Sequence, residues 1–324
     1  MNGRTIIVTG GAGYLGRCAV EVLRERGFRP FVVDNFSASH RESLEGVDFA
    51  EADLCDLAKS REAFRKAGSA HAVIHFAALA LVEESVRQPE RYLKNNVGAA
   101  ETVARLCGEL GIGRLIHSSS CAVYGFPKEI PVKEGATFAP SSPYGESKVR
   151  AEAVLGRFRS PQLRVINLRY FNPVGAIGRF GERHDPETHL IPRVIEALRG
   201  GQPVSVFGRD YETPDGTCVR DFVHVKDLIE AHLAAMEWLE RGVSTEISAV
   251  NLGSGVGRSV LEVIKTAEKA LSLKAEIAFL PRRPGDPARL MADVELAEKL
   301  FGWRPRLGID QMIRDHAQFI FPFR

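Results

Sequence analysis

The stretch VTGGAGYLG, running from Val8 to Gly16, limits the possible folds more than any other part of the chain. It follows the apolar run TIIVTG and precedes YLGRCAVEVLRERG, whose apolar residues recur at helical period. Glycines at 10, 13 and 16 between a strand and a helix suit a tight turn, close approach of backbone to a pyrophosphate, and close helix–strand packing. Such glycines can also merely punctuate a turn; the flanking strand and helix favour a dinucleotide site. The spacing is G-x-x-G-x-x-G rather than the commoner G-x-G-x-x-G. The helix start behind it would face the phosphates. Asp34 ends the next strand, PFVVD, 18 residues beyond Gly16. A carboxylate there accepts hydrogen bonds from ribose hydroxyls and repels a 2′-phosphate, so NAD is expected rather than NADP. Asp53 follows the third strand and could meet the adenine amino group, although aspartate is common in such turns.

Strand-like and helix-like stretches keep alternating as far as Tyr170. HAVIHFAA, RLIHSSS and LRVINLRY read as strands, with a long helix from about Pro89 to Leu110 and another beginning near Tyr144. Alternation of this kind implies an α/β fold with a Rossmann-type, doubly wound parallel sheet covered on both faces. After Tyr170, Gly, Pro and charge become frequent and strands shorten, as in PVSVFG and AEIAFL. The expected division is a nucleotide-binding part over 1–170 and a smaller substrate-binding α/β region over 171–324. Two later pieces near 221–254, RDFVHVKDLIEAHLAAM and AVNLGS, are apolar enough to rejoin the main sheet.

Composition narrows the function classes. Of 324 residues, 44% are hydrophobic and 26% charged, as in an ordinary globular protein. A net charge of +2 gives no field favouring nucleic acid or an anionic membrane. No apolar run is long enough for a membrane span, and the N-terminus runs straight into a strand with no room for a signal peptide. Cys18, Cys55, Cys107, Cys121 and Cys218 show no C-x-x-C pair and no zinc spacing, so reduced thiols, a cytoplasmic location and no bound metal are expected.

SPYGESK, residues 142 to 148, sets Tyr144 and Lys148 one helical turn apart. By chance alone such a pair is a surface contact. Beside a dinucleotide site it has a chemical use. A phenol is too weak an acid to act as a base at neutral pH, and a nearby ammonium together with a cationic nicotinamide favours phenolate. Ser120 ends the strand RLIHSSS at the carboxyl edge of the sheet, where ligands bind in such folds, and its hydroxyl could share the substrate proton. Otherwise a serine cluster there is ordinary capping chemistry.

TGGAGYLG, HFAALALVEESV, SSSCAVYG, YGESK and RYFNPVGA together resemble the extended short-chain dehydrogenase/reductase family. VFGRDYETPDGTCVRDFVHVKDLIEAH, NLGSGVGRSV and RRPGD are similar to its UDP-hexose 4-epimerases, and the resemblance runs from Thr5 to about Trp303. It implies NAD that stays bound while Tyr144 takes the proton of the sugar 4-hydroxyl. Carbon 4 then gives up hydride, a 4-ketose rotates, and hydride returns to its other face. UDP-glucose and UDP-galactose would be interconverted without net redox change, in a homodimer built on the long helix and the helix after Tyr144.

The same resemblance implies site residues. Tyr14, Leu15, Asn35, Leu54, Phe76, Ala77, Ala78, Asn95 and Phe171 would line the cofactor with Tyr144 and Lys148. Asn172 and Arg220 would hold the diphosphate, Arg282 phosphate, and Asp286 the uridine ribose. Val206 and Phe207 would line the uracil pocket, with His189 and Leu190 nearby. Counting from RRPGD, Leu290, or Arg289 or Met291 with the register slipped by one, falls where a side chain beside the sugar 2-position admits or blocks an N-acetyl group; Leu290 can equally be a strand residue facing the core. Leucine there would leave UDP-N-acetylglucosamine a weak substrate.

Three departures concern cofactor affinity and sugar choice: His189 where asparagine is frequent, Ala80 for a lysine, and Ala122 for a threonine. A 4,6-dehydratase is the nearest alternative, but it needs an acid–base carboxyl pair where this chain has Ser120-Cys121. A decarboxylase is disfavoured on similar grounds. A non-enzymatic dinucleotide sensor would have no need of both Tyr144 and Lys148.

Overall fold

The computed structural model describes residues 3–183, 187–242, 247–283 and 285–321. The first half runs β1 (Thr5–Thr9), α1 (Tyr14–Glu25), β2 (Arg29–Asp34), β3 (Asp48–Glu51), α2 (Leu57–Lys66), β4 (Ala70–His75), α3 (Val82–Arg87), α4 (Pro89–Glu109), β5 (Arg114–Ser120), α5 (Pro143–Phe158) and β6 (Arg164–Tyr170). After these come β7 (Asn172–Val174), β8 (Ala176–Ile177), β9 (Phe180–Gly181), α6 (Leu190–Gly200), β10 (Val204–Phe207), β11 (Val219–His224), α7 (Val225–Glu240) and β12 (Ala249–Leu252). The chain then completes β13 (Gly257–Ser259), α8 (Val260–Leu271), β14 (Ile277–Leu280), β15 (Arg289–Leu290), α9 (Glu295–Phe301) and α10 (Ile309–Ile320).

Seven strands form the main sheet in the order β12-β6-β5-β4-β1-β2-β3, all pairs parallel. Every residue of β1 is buried, which is why its run is apolar without alternation. Ile6 and Val8 face one core with α1 and α7, and Ile7 faces the other with α2, α4 and α5. The strand order reverses between β1 and β4, so their carboxyl ends open the crevice in which such sheets bind ligands.

The apolar segments near 221–254 divide. β12 does join the main sheet, beside β6. The expectation fails for β11, which pairs with β7, β13 and β15 in a separate sheet. β11 is apolar because it lies between two cores: Phe222 packs with α6, α8 and α10, while Val223 packs toward the main sheet. Its continuation α7 then covers the main sheet.

Asp221 of β11 is fully buried. One carboxylate oxygen accepts the N–H and hydroxyl of Ser254, each at 2.6 Å, and the other accepts the N–H groups of Gly255 and Ala292 at 3.0 Å. Its carbonyl accepts the Asn172 side-chain amide at 2.6 Å. The second sheet, the loop after β12 and the segment after β15 thus meet at one side chain. Asp221→Ala would leave these donors buried and unpaired, so a loss of about 3 kcal/mol or more is expected in urea denaturation.

Candidate active site

Ser142 caps α5 by accepting the Gly145 N–H at 3.1 Å, and Pro143 takes a first-turn position that needs no N–H. Starting the helix there turns Tyr144, Lys148 and Glu152 to one face. Lys148 is buried, and its ammonium donates to the Ser118 carbonyl at 2.7 Å. The same ammonium lies 5.9 Å from the centre of the Tyr144 ring. Ser120 accepts the Ala122 N–H at 3.2 Å and stands near enough to the Tyr144 phenol to influence its ionisation. Burial pushes the Tyr144 phenol up to about 12; Ser120 opposes this, and neighbouring Cys121 adds to it. Burial likewise pushes Lys148 down to about 8, against the opposing charge of Glu152. The expected charge of Lys148 thus stands near the phenol without a direct bond to it. The ammonium bonds a carbonyl rather than the hydroxyl, and Ser120 is the group that favours phenolate.

The glycine turn fits a dinucleotide. Gly10 has φ +70, and a Cβ there would come within 2.6 Å of the Ala77 nitrogen; one on Gly16 would lie 2.1 Å from the Gly10 carbonyl. Those two glycines are demanded by the protein's own packing. At Gly13 a Cβ would meet only the Gly10 carbonyl, at 3.5 Å, so its bareness keeps open the space before α1. The first turn of α1 has no acidic residue, as an anion site requires. Phe76 and Ala77 donate their N–H groups to the Thr9 carbonyl, bringing the end of β4 against the turn. Asp34 holds the loop from the other side, accepting from Ala12 N–H at 3.0 Å, Phe36 N–H at 2.8 Å and the Ser39 hydroxyl at 3.2 Å.

The remaining cofactor candidates are less uniform. Leu15 and Ala78 are half-buried, and Asn35 is exposed with its side-chain oxygen accepting the Ser37 N–H. Asp53 is exposed and accepts the Cys55 N–H at 2.8 Å. Leu54 is buried in the core with α2 and α4, which turns its side chain from the crevice. Tyr14 spends its hydroxyl on the Gly175 carbonyl at 2.9 Å. Asn95 donates to Asn96 at 3.1 Å, and Phe171 is buried.

A cleft of about 520 Å³ opens beside β7, α6 and β10 and gathers Asn172, His189, Leu190, Phe207, Arg220 and Asp286. Arg220 donates to the Pro287 carbonyl at 2.7 Å and pairs with Asp286 at 3.2 Å. Two carboxylates, Glu182 at 3.3 Å and Glu187 at 3.1 Å, approach one ring nitrogen of His189. Burial lowers the His189 pKa, yet these acids more than offset that and raise it. Burial pushes the Cys121 thiol, next to Ser120, up to about 12, with the charge of Arg220 opposing this.

Three expected substrate residues stand elsewhere. Val206 is buried in the core with Ile191 and Val194, because alternation along β10 turns Phe207, not Val206, toward the cleft. Arg282 turns away: it bonds Asp210 at 2.8 Å and stacks over Tyr211 at 4.2 Å. Its neighbour Arg283, which sequence reasoning missed, lines the cleft with its guanidinium 3.9 Å over the Phe207 ring. Adjacent residues of an extended segment face opposite ways, so the arginine pair was visible but not the choice between its members. Leu290 is 8% exposed and packs with Val123, Tyr124, Phe171 and Ala292, in the manner of a strand residue facing a core. Among the described residues, no cluster of His, Cys, Asp or Glu could hold a metal ion.

Residues 6–253 match the NAD dependent epimerase/dehydratase family. A UDP-glucose 4-epimerase of Rhizobium leguminosarum bv. trifolii is 41% identical over 97% of this chain and 96% of its own. The crystal structure of UDP-glucose 4-epimerase from Brucella ovis in complex with NAD is 41% identical with a TM-score of 0.92, covering 98% of both chains. That of UDP-glucose-4-epimerase from Stenotrophomonas maltophila, with bound NAD and formylated UDP-arabinopyranose, is 34% identical with a TM-score of 0.93, covering 98% of this chain and 97% of that one. The chain therefore belongs to the NAD dependent epimerase/dehydratase family.

Proposed function

We propose that this chain interconverts UDP-glucose and UDP-galactose by reversible oxidation at sugar carbon 4, with NAD as its resident cofactor. The observation that carries the reading is the placement of Tyr144 and Lys148 on one face of α5 against the carboxyl end of β5, near Ser120 and on the same sheet edge as the glycine turn. Bound NAD supplies the acceptor and donor of hydride at carbon 4. Tyr144 removes the 4-hydroxyl proton and returns it, with Ser120 sharing that proton. The charge of Lys148 over the ring favours phenolate from a distance. Arg220 and Arg283 present planar donor sets suited to a diphosphate, with Asn172 beside them. Phe207 offers a face to the uracil and Asp286 a carboxylate to the ribose. Asp34 favours NAD over its 2′-phosphorylated form. Relatives named UDP-glucose 4-epimerase, and neighbours holding NAD with or without a UDP-sugar, support this reading.

A homodimer through α4 and α5 and a cytoplasmic location are part of the same proposal. Among the described residues no helix is long and apolar enough to cross a membrane, and the five cysteines are free.

Incubation with a panel of UDP-sugars, followed by chromatography, tests the reaction. UDP-glucose and UDP-galactose are expected to interconvert fastest. An unchanged UDP-galactose pool would refute the assignment. Tyr144→Phe is expected to fold and lose about 10²–10⁴-fold in kcat. Lys148 carries its charge below about pH 8 and loses it above, so wild-type kcat should fall past that point. Lys148→Met should be impaired throughout, its residual rate rising toward alkaline pH because the phenol then ionises unaided. Arg283→Ala should raise KM for UDP-galactose at least tenfold while Arg282→Ala stays within threefold, as a lost charged hydrogen bond of about 1.5–3 kcal/mol requires. Equal effects of the two substitutions would remove the distinction between them.

A further inference from the structure

We infer that Glu152 is a positioning residue for this site: clamped between Arg169 and Ser119, it fixes the helix that carries Tyr144 and sets its carboxylate one helical turn behind Lys148. The inference rests on the role given to Lys148 above.

Glu152 follows Lys148 by four residues on the same face of α5 and is 8% exposed. Arg169, from β6, is 3% exposed and grips it with two prongs, Nε to one oxygen at 3.0 Å and Nη2 to the other at 2.7 Å. Ser119, from β5, donates its hydroxyl to the first oxygen. Ser119 and Arg169 stand directly opposite each other in the β5–β6 ladder, so the carboxylate plugs onto a matched pair on two strands. The other end of the guanidinium is occupied as well. Nη1 donates to the Tyr124 hydroxyl at 2.8 Å and to the Glu134 carbonyl at 2.9 Å, and Tyr124 donates to Asn251 of β12 at 2.6 Å. A helix tied at this point cannot slide along the sheet, and a slide would separate Tyr144 from Ser120.

The electrostatic half follows from what surrounds Lys148. Its own helix contributes Tyr144 and Glu152. The ladder beneath contributes the Ser118 carbonyl and His117 from β5, and His75 from β4. Both imidazoles are buried and held neutral, His75 down to about 3, so neither offers a negative charge. Burial opposes the ammonium, and Glu152 is the group that opposes burial. Around Glu152 itself stand Arg169, Ser119, Tyr124 and Lys148, with the Glu134 carboxyl facing Arg169 from the loop before α5. A purely structural ion pair would pin the helix without touching the titration of Lys148.

The test follows the Lys148 Cε resonance by NMR in the full chain labelled at lysine Cε, assigned by its absence in Lys148→Met, with kcat profiles against pH alongside. Glu152→Gln alone leaves Arg169 as an uncompensated buried cation, and Arg169→Met alone leaves Glu152 as an uncompensated buried carboxylate. The comparison is therefore between the wild type, which has both charges, and Glu152→Gln/Arg169→Met, which has neither. Relative to the wild type, the double variant should titrate Lys148 lower by on the order of one pH unit, as loss of a near opposite charge does. The alkaline limb of kcat should move down with it. A Lys148 titration that is the same in the folded double variant and the wild type, whatever their melting temperatures, overturns the inference. If instead Lys148→Met itself leaves the wild-type pH profile unaltered, the role of Lys148 fails first and this inference with it.

Discussion

The buried carboxylate of Asp221 joins parts of the molecule that sequence order keeps far apart. It takes hydrogen bonds from the loop after β12, an edge strand of the main sheet, and from the segment after β15, in the second sheet. Its neighbour Arg220 points the other way along the same strand, into the cleft. Alternation in β11 thus uses one residue to tie the two sheets and the next to face a ligand. Displacing the tie would move the arginine, so the shape of the cleft depends on an acid that never meets it. That acid is costly to bury, and its pKa is raised by burial against four hydrogen bonds that hold it ionised.

A comparable division of labour governs α5. Tyr144 faces Ser120 at the open edge, Lys148 sits over the Ser118 carbonyl, and Glu152 is gripped by Arg169 deeper in the sheet. One stripe of side chains on α5 therefore passes from chemistry to charge to anchorage in two turns. Parallel pairing makes this workable. All main-sheet strands end at the same edge, so the glycine turn after β1, the Phe76–Ala77 backbone after β4 and Ser120 after β5 converge without any long loop.

The candidate site was legible wherever a side chain's role is set by residues near it in sequence. Gly10 and Gly16 are fixed by a local turn, and Tyr144 and Lys148 by helical spacing. Asp34 follows from its place at a strand end. The misplacements have one kind of cause. Val206 and Phe207 are adjacent on a strand, as are Arg282 and Arg283 on an extended segment, and in each pair only one faces the cleft. Which one depends on where the neighbouring core lies, and that core is made by α6, far off in sequence from Arg282. The Lys148–Tyr144 pair shows another limit of local reading. Spacing brought the two side chains near, but the ammonium found a better acceptor in a carbonyl of β5.

By itself the sequence determined the doubly wound sheet, the glycine turn at its carboxyl edge and the helical pair Tyr144 and Lys148. Each of these is encoded by periodicity, glycine placement or a proline–serine cap acting over a few residues. Tertiary structure alone decided that β12 returns to the main sheet while β11 does not, and that Arg283 rather than Arg282 meets the cleft. It also decided that Glu152 of α5 and Arg169 of β6 close on one another. Those outcomes rest on which side chains and strands find partners from distant parts of the fold, a competition that no local pattern records.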